Sequence, residues 1–180
     1  MNNLKQKVVG IDKPIQSIQT QLYDNLSKIW NGEIEGYGRI YKNNNSTGEI
    51  IPEWYNSITK EYDSVYYDDS KSATFCFLVS DKDNTSDEYA FKAQVKCVFS
   101  VNLDKIYSEN AERLDAKAES EVVNLFRENY SQTTIKSIEK TIETVYLGYS
   151  IEKIKKSDNI QPRHVFSVNF DLIYYFDNQC

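Results

Sequence analysis

Every odd position from Tyr89 to Val101 is apolar: Tyr89, Phe91, Ala93, Val95, Cys97, Phe99 and Val101. The even positions between them include Lys92, Gln94, Lys96, Ser100 and Asn102. A period of two over that length fits a long β-strand with one apolar face, because a helix would scatter the same residues around its circumference. The end of the chain repeats the pattern, with His164, Phe166, Val168, Phe170, Leu172, Tyr174 and Phe176 alternating with Val165, Ser167, Asn169, Asp171, Ile173 and Tyr175. Ala73–Val79 is apolar on both faces and is joined to the first strand by the polar stretch Asp81–Glu88, which predicts a hairpin. Strands that are apolar on one side only belong to antiparallel sheets wetted on the other.

Helical stripes supply a cover for the apolar face. Ile15, Ile18, Leu22, Leu26 and Ile29 recur at spacings of three and four. Asp12 is placed to cap that helix, Pro14 suits its first turn, and Asn31-Gly32 follows its end near Trp30. Ala111, Leu114, Ala118, Val122 and Leu125 form a second stripe, with Ser108 as cap and an end near Tyr130. Ile135, Ile138, Ile142 and Val145 form a third, stopped by Gly148, and 149–163 reads as a charged loop. The order helix, strands, helix, helix, strand predicts an α+β fold, an antiparallel sheet packed on one face by about three helices. The 180 residues suit a single domain spanning 1–180. Residues 1–11 read as an extended N-terminal arm. Residues 33–72 read as a projecting loop or extended aromatic β-arm, with a turn at Lys42–Gly48 and with Trp54, Tyr55, Tyr62, Tyr66 and Tyr67 beyond it.

Catalytic chemistry has little to draw on. His164 is the only histidine, which leaves triads and histidine-based metal sites without members. It is in phase with the apolar face of its strand and reads as a residue at the edge of the core. Cys76 and Cys97 sit in strands and Cys180 ends the chain; no Cys-x-x-Cys occurs, so buried thiols are the expected state of the first two. Asp81–Glu88 has a calcium-loop flavour, but Ser86 stands where the turn glycine is needed and Lys92 where the final glutamate is needed. Glu112, Asp115 and Glu119 share a helical face with Arg113 and Lys117 among them, which reads as a solvated side. Gly36-Tyr-Gly38 is too short for a phosphate loop and opens no helix. No catalytic residue, cofactor or metal is expected.

The net charge of −6 lacks the basic footprint of a nucleic-acid binder. Tyr66-Tyr67 and Tyr174-Tyr175 have faces on which bases could stack, but their acidic setting argues against it. The charge is uneven: Glu49–Asp69 holds six acids and one lysine, whereas Lys5, Lys7 and Lys13 and then Lys153, Lys155 and Lys156 lie towards the ends. Such asymmetry is usually a solvated surface; the sharper reading is complementary faces on neighbouring subunits. No apolar run approaches the roughly 20 residues of a membrane helix, and the N-terminus is too polar for a secretory signal. A soluble protein made in a cytoplasm is expected.

The pattern as a whole resembles the small ring-forming neck and tail proteins of tailed bacteriophages, of the tail-terminator-like type and including ring proteins of crAss-like phages. The likeness lies in the order of elements and in Ile15–Trp30, Tyr89–Asn102, Ala111–Asn129, Ile142–Tyr149 and Pro162–Phe176. The 33–72 segment is longer than that pattern requires. The resemblance implies a virion structural protein with no catalytic residues. Copies would form a six- or twelvefold ring, touching adjoining portal, neck and tail proteins, with DNA passing through the channel and no membrane involved. An acidic channel wall would repel phosphates and let DNA slide. The candidate subunit-interface residues are Leu4, Val8, Val9, Ile11, Trp54, Tyr55, Tyr62, Tyr66 and Tyr67, aromatic and apolar groups on segments outside the predicted core. The runner-up is a non-enzymatic binding or adaptor module acting as monomer or dimer; an enzyme built from scattered acids and tyrosines is the third.

Overall fold

The computed structural model describes residues 1–66, 70–82, 84–85, 90–108, 113–129, 133–152 and 162–175. Tyr67, Asp83, Ser86–Glu88, Tyr89, Ala111, Glu112, Tyr130, Lys153, Lys155, Lys156, Phe176 and Cys180, all named above, lie outside these residues.

The long alternating strand is β8 (Ala90–Asn102). It pairs antiparallel with β6 (Ala73–Val79) on one side and with β10 (Arg163–Tyr175) on the other. The two-residue β7 (Asn84–Thr85) also pairs with it. The register places Phe75, Phe99 and Phe166 abreast, and their rings stack across the three strands with centroids 5.8 Å and 5.0 Å apart. Cross-strand aromatic ladders of this kind fix register, because a one-residue slip would turn every ring to the other face. As the alternation predicts, the odd residues of β8 and the even residues of β10 form one core with α1 (Asp12–Ile29) and α3 (Leu114–Asn129).

The sheet is mixed, not antiparallel throughout. Beyond β6 lie β2 (Ile34–Arg39) and β1 (Asn2–Asn3), each parallel to its neighbour. Helix α1 is the crossover that brings the chain back parallel to β1. Gln19, buried on α1, ties the unit together by donating to Asn2 Oδ1, Asn3 O and Gly36 O at 2.8, 3.0 and 3.2 Å. Gly36 lies inside β2 because Phe75 occupies the space of a side chain: a Cβ there would come within 2.6 Å of the ring.

The third predicted helix is replaced by β9 (Thr133–Glu139), an edge strand along β10. Ile135 stands opposite Phe170 and Ile138 opposite Val168, with a register shift between them. The shift lodges one extra residue in β9, so a two-residue strand spacing becomes the three-residue spacing that reads as helix. Only α4 (Ile142–Val145) is helical here, a single turn capped by the Thr141 side chain.

The second face of the sheet is only half wet. β3 (Tyr41–Asn44), β4 (Ile50–Asn56) and β5 (Glu61–Ser64) form a separate antiparallel sheet. With α4 they cover one end of that face. Ile40, Trp54 and Val65 pack on Cys76, Val98, Val165 and Tyr146 in a second core. Val98, Ser100 and Asn102 are therefore buried despite lying on the side expected to be wet, while Gln94 stays exposed. Cys76 belongs to the second core and Cys97 to the first, so the two thiols face opposite ways; burial pushes Cys76 up to about 12 and Cys97 well above its ordinary value.

Helix ends differ in detail. α1 begins at Asp12 itself, and Ile11 holds the cap position with no side-chain cap; Asp12 instead pairs with Lys5 at 2.8 Å. Ile29 is exposed and Trp30 takes its place in the core. The Asn102 side chain caps the turn α2 (Leu103–Ile106), and α3, the helix for which Ser108 is the expected cap, starts further on at Leu114. Among the described residues no helix is long and apolar enough to cross a membrane.

Candidate functional site

The candidate contact residues divide by burial. Ile11 and Trp54 are in this chain's own cores. Tyr66 is half-buried; its hydroxyl donates to Ser150 O at 2.5 Å and its ring meets Tyr146. These three spend their surface inside the molecule. Leu4, Val9 and Tyr62 are exposed, Val8 and Tyr55 are half-buried, and Tyr67 lies outside the described residues. Tyr62 and Tyr55 are linked to the N-terminal segment through Tyr41, whereas Val8 lies beside Lys13 and Gln16 of α1. Lys5 on the N-terminal segment reaches the Tyr41 hydroxyl at 3.5 Å, and Tyr41 meets Tyr62 edge-on at 5.9 Å. Tyr62 in turn packs on Tyr55.

One residue in this region was not picked out from the sequence. Ile58 sits in the turn between β4 and β5 and is 81% exposed, more than any other large apolar side chain of the described residues. The available signal is an isoleucine in Asn56-Ser-Ile-Thr-Lys60, where turn chemistry favours polar residues. All four residues of β5 are exposed, with Glu61 and Asp63 beside Tyr62.

A second surface lies on the open half of the sheet, where β8, β10 and β9 are not covered. A groove of about 390 Å³ runs there, bounded by Lys42, Leu78, Leu147 and Tyr149 and floored by Gln94, Lys96 and Asp171. Asp171, nearly buried, takes Lys92 at 2.7 Å and Lys136 at 2.9 Å. Burial opposes its charge, but the hydrogen bonds and charges of the two lysines outweigh that and hold its carboxyl below the ordinary range. Lys96 pairs with Glu139 at 2.5 Å and donates to the Thr144 and Val145 carbonyls, which fixes α4 to the sheet. Burial pushes the Tyr149 hydroxyl upward.

A third cluster joins helix to sheet. His164 Nε2 lies 3.0 Å from Glu119 Oε1, and Lys140 is 2.6 Å from the other oxygen. Glu119 is buried, not on a solvated side as the charge pattern suggests, because it lies beside Ala118 and Val122 on the inward side of α3. His164 is partly buried and stacks on Phe166 at 5.2 Å. The arrangement ties α3, β10 and the end of β9 together. Asp115 is held below its ordinary value despite some burial, by the Ala116 N–H, by Arg113 and by the His164 charge. Among the described residues no group of three histidine, cysteine or acidic side chains is placed to hold a metal ion.

The chain matches no family model and no curated protein.

Proposed function

We propose that this chain is a structural subunit that joins head to tail with copies of itself into a ring, and that the ring belongs to the neck or tail of a tailed bacteriophage, as a tail terminator or head–tail connector around the DNA channel. The observation that carries the assembly is the presence of two unlike surfaces. One is an exposed, acidic, apolar-tipped hairpin; the other is a lysine-bearing groove. Unlike patches make heterologous contacts, which close into rings when the rotation between neighbours allows it. Open-ended strand addition is guarded against at β9, which is bulged and carries Lys136 along its edge. The phage setting rests on the sequence resemblance, and the net charge of −6 suits a channel through which DNA slides.

Negative-stain electron microscopy of the purified full chain tests this reading. Closed rings with an opening wide enough for duplex DNA are expected. Discrete monomers or dimers would favour the binding or adaptor module, for which the groove alone would suffice.

A further inference from the structure

We propose that the groove on the open half of the sheet receives the β4–β5 hairpin of a second copy, with Ile58 entering it and Glu61 and Asp63 facing its lysines. The inference rests on the assembly reading above and names its contact.

One side of the hairpin docks on the body through Trp54, but its outer strand and its tip stay exposed among the described residues. Glu61, Tyr62, Asp63 and Ser64 are exposed on both faces of β5, and Ile58 projects from the tip. A single exposed apolar side chain is common on protein surfaces; Ile58 acquires meaning from the exposed Tyr62 on the same hairpin and from the complementary groove. Its own groove is out of reach. Ile50, at the start of β4, exchanges backbone and side-chain hydrogen bonds with Ser150, next to the groove residue Tyr149. Asn56, which pairs with Glu61 beside the tip, lies at the far end of the same strand. At about 3.3 Å per residue, that puts the tip roughly 20 Å from Ile50, on a strand that runs away from the groove end. The occupant therefore comes from another molecule.

The charges are complementary. From Glu49 to Tyr66 the hairpin region has four acids and one lysine. Among the described residues, Lys42, Lys92, Lys96 and Lys136 stand around the groove against Asp81, Glu139 and Asp171. Asp171 is shared by two lysines, so one positive charge is left over among these described groups, and the side chains of Lys42 and Lys136 are about half exposed at 47% and 53%. Leu78 and the exposed Leu147 give an incoming Ile58 an apolar wall. An acidic edge meeting a basic groove steers two copies into one register and disfavours hairpin-to-hairpin pairing.

The test uses two single variants of the full chain, Ile58→Asp and Leu147→Asp, both at exposed positions outside the cores. Sedimentation velocity is run on wild type, on each variant and on their equimolar mixture. Each variant alone is expected to lose assembly by at least about tenfold in apparent affinity, as an anchor residue does. The mixture is expected to give a two-chain species that grows no further, since only one intact tip and one intact groove remain per pair. A wild type that assembles while either variant assembles equally well overturns this contact and leaves the ring reading standing. So does a mixture of two non-assembling variants that stays monomeric. A wild type that is monomeric at every concentration overturns the ring reading and this inference with it. Should a variant lose its circular dichroism, Ile58→Cys with Leu147→Cys in a Cys180→Ser background, treated with diamide as the two-electron oxidant, keeps the test: a disulfide-linked ladder of chains supports the contact, and its absence overturns it.

Discussion

Replacing Trp54 with alanine is expected to lower folding stability by about 3 kcal/mol, near the low end of the range for large aromatic truncations. The indole joins Ile40 and Val65 on Cys76, Val98 and Val165 and is only 7% exposed. A buried tryptophan removes roughly 150–250 Å² from water, which at about 25 cal/mol/Å² is ~4–6 kcal/mol as an upper bound. Against this stands the Nε1–H, which is buried without a hydrogen-bond partner among the described residues and costs about 1–3 kcal/mol. Trp54→Phe removes that donor along with part of the ring, so its net cost is expected to stay within about 1 kcal/mol. Urea denaturation followed by far-ultraviolet circular dichroism measures both changes, and Trp30 remains as a fluorescent reporter of the main core. A loss below about 1 kcal/mol for Trp54→Ala would show that the three-stranded sheet is not docked on the body, and the second core would have to be abandoned.

Gly36→Ala is expected to destabilise by about 1–3 kcal/mol through overpacking against Phe75, read as a fall in thermal midpoint. Asp171 gives a sign for the acid limb. Its folded carboxyl titrates below its unfolded value, so its contribution is complete above the unfolded range near 4 and is lost as pH falls through the lower folded value. Asp171→Asn should therefore flatten the loss of stability between about pH 5 and 2, measured by urea midpoints across that range. Glu119→Gln and His164→Ala are expected to weaken folding without abolishing any turnover; a hydrolase or transferase activity that vanishes with either would restore the enzyme reading. Cys76 and Cys97 are expected to resist a thiol reagent until denaturant is added, because both are buried and held as thiols.

What the sequence made legible was the part governed by a single period. The alternation in β8 and β10 and the three-four spacing of Ile15, Ile18, Leu22 and Leu26 each describe one face of one element, and those faces meet in the first core. The failures come where a second influence overlays the period. In β9 a bulge turns strand spacing into helix spacing. In α3 the acid pattern hid that Glu119 points inward to His164 and Lys140. The parallel strands β1 and β2 carry little pattern of their own: β1 is two residues long, and β2 holds Gly36 and Gly38 because Phe75 and Gln19 press on them, a reason visible only once the sheet is assembled. The aromatic segment reads as an arm because Trp54 and Tyr66 have no periodic partner in sequence: Trp54 meets Tyr37, which β2 carries into the main sheet, and Tyr66 meets Tyr146, far along the chain. Ile58 was missed for the opposite reason, since one apolar residue in a polar turn has no pattern at all.

The mass of the wild-type full chain in solution, measured by native mass spectrometry over a concentration series, tests the central claim most directly. The ring reading predicts a closed species of six or twelve times the 21.0 kDa protomer, with no open-ended growth beyond it. A mass that stays at one or two protomers as concentration rises would contradict the ring and leave the groove as the site of a binding module.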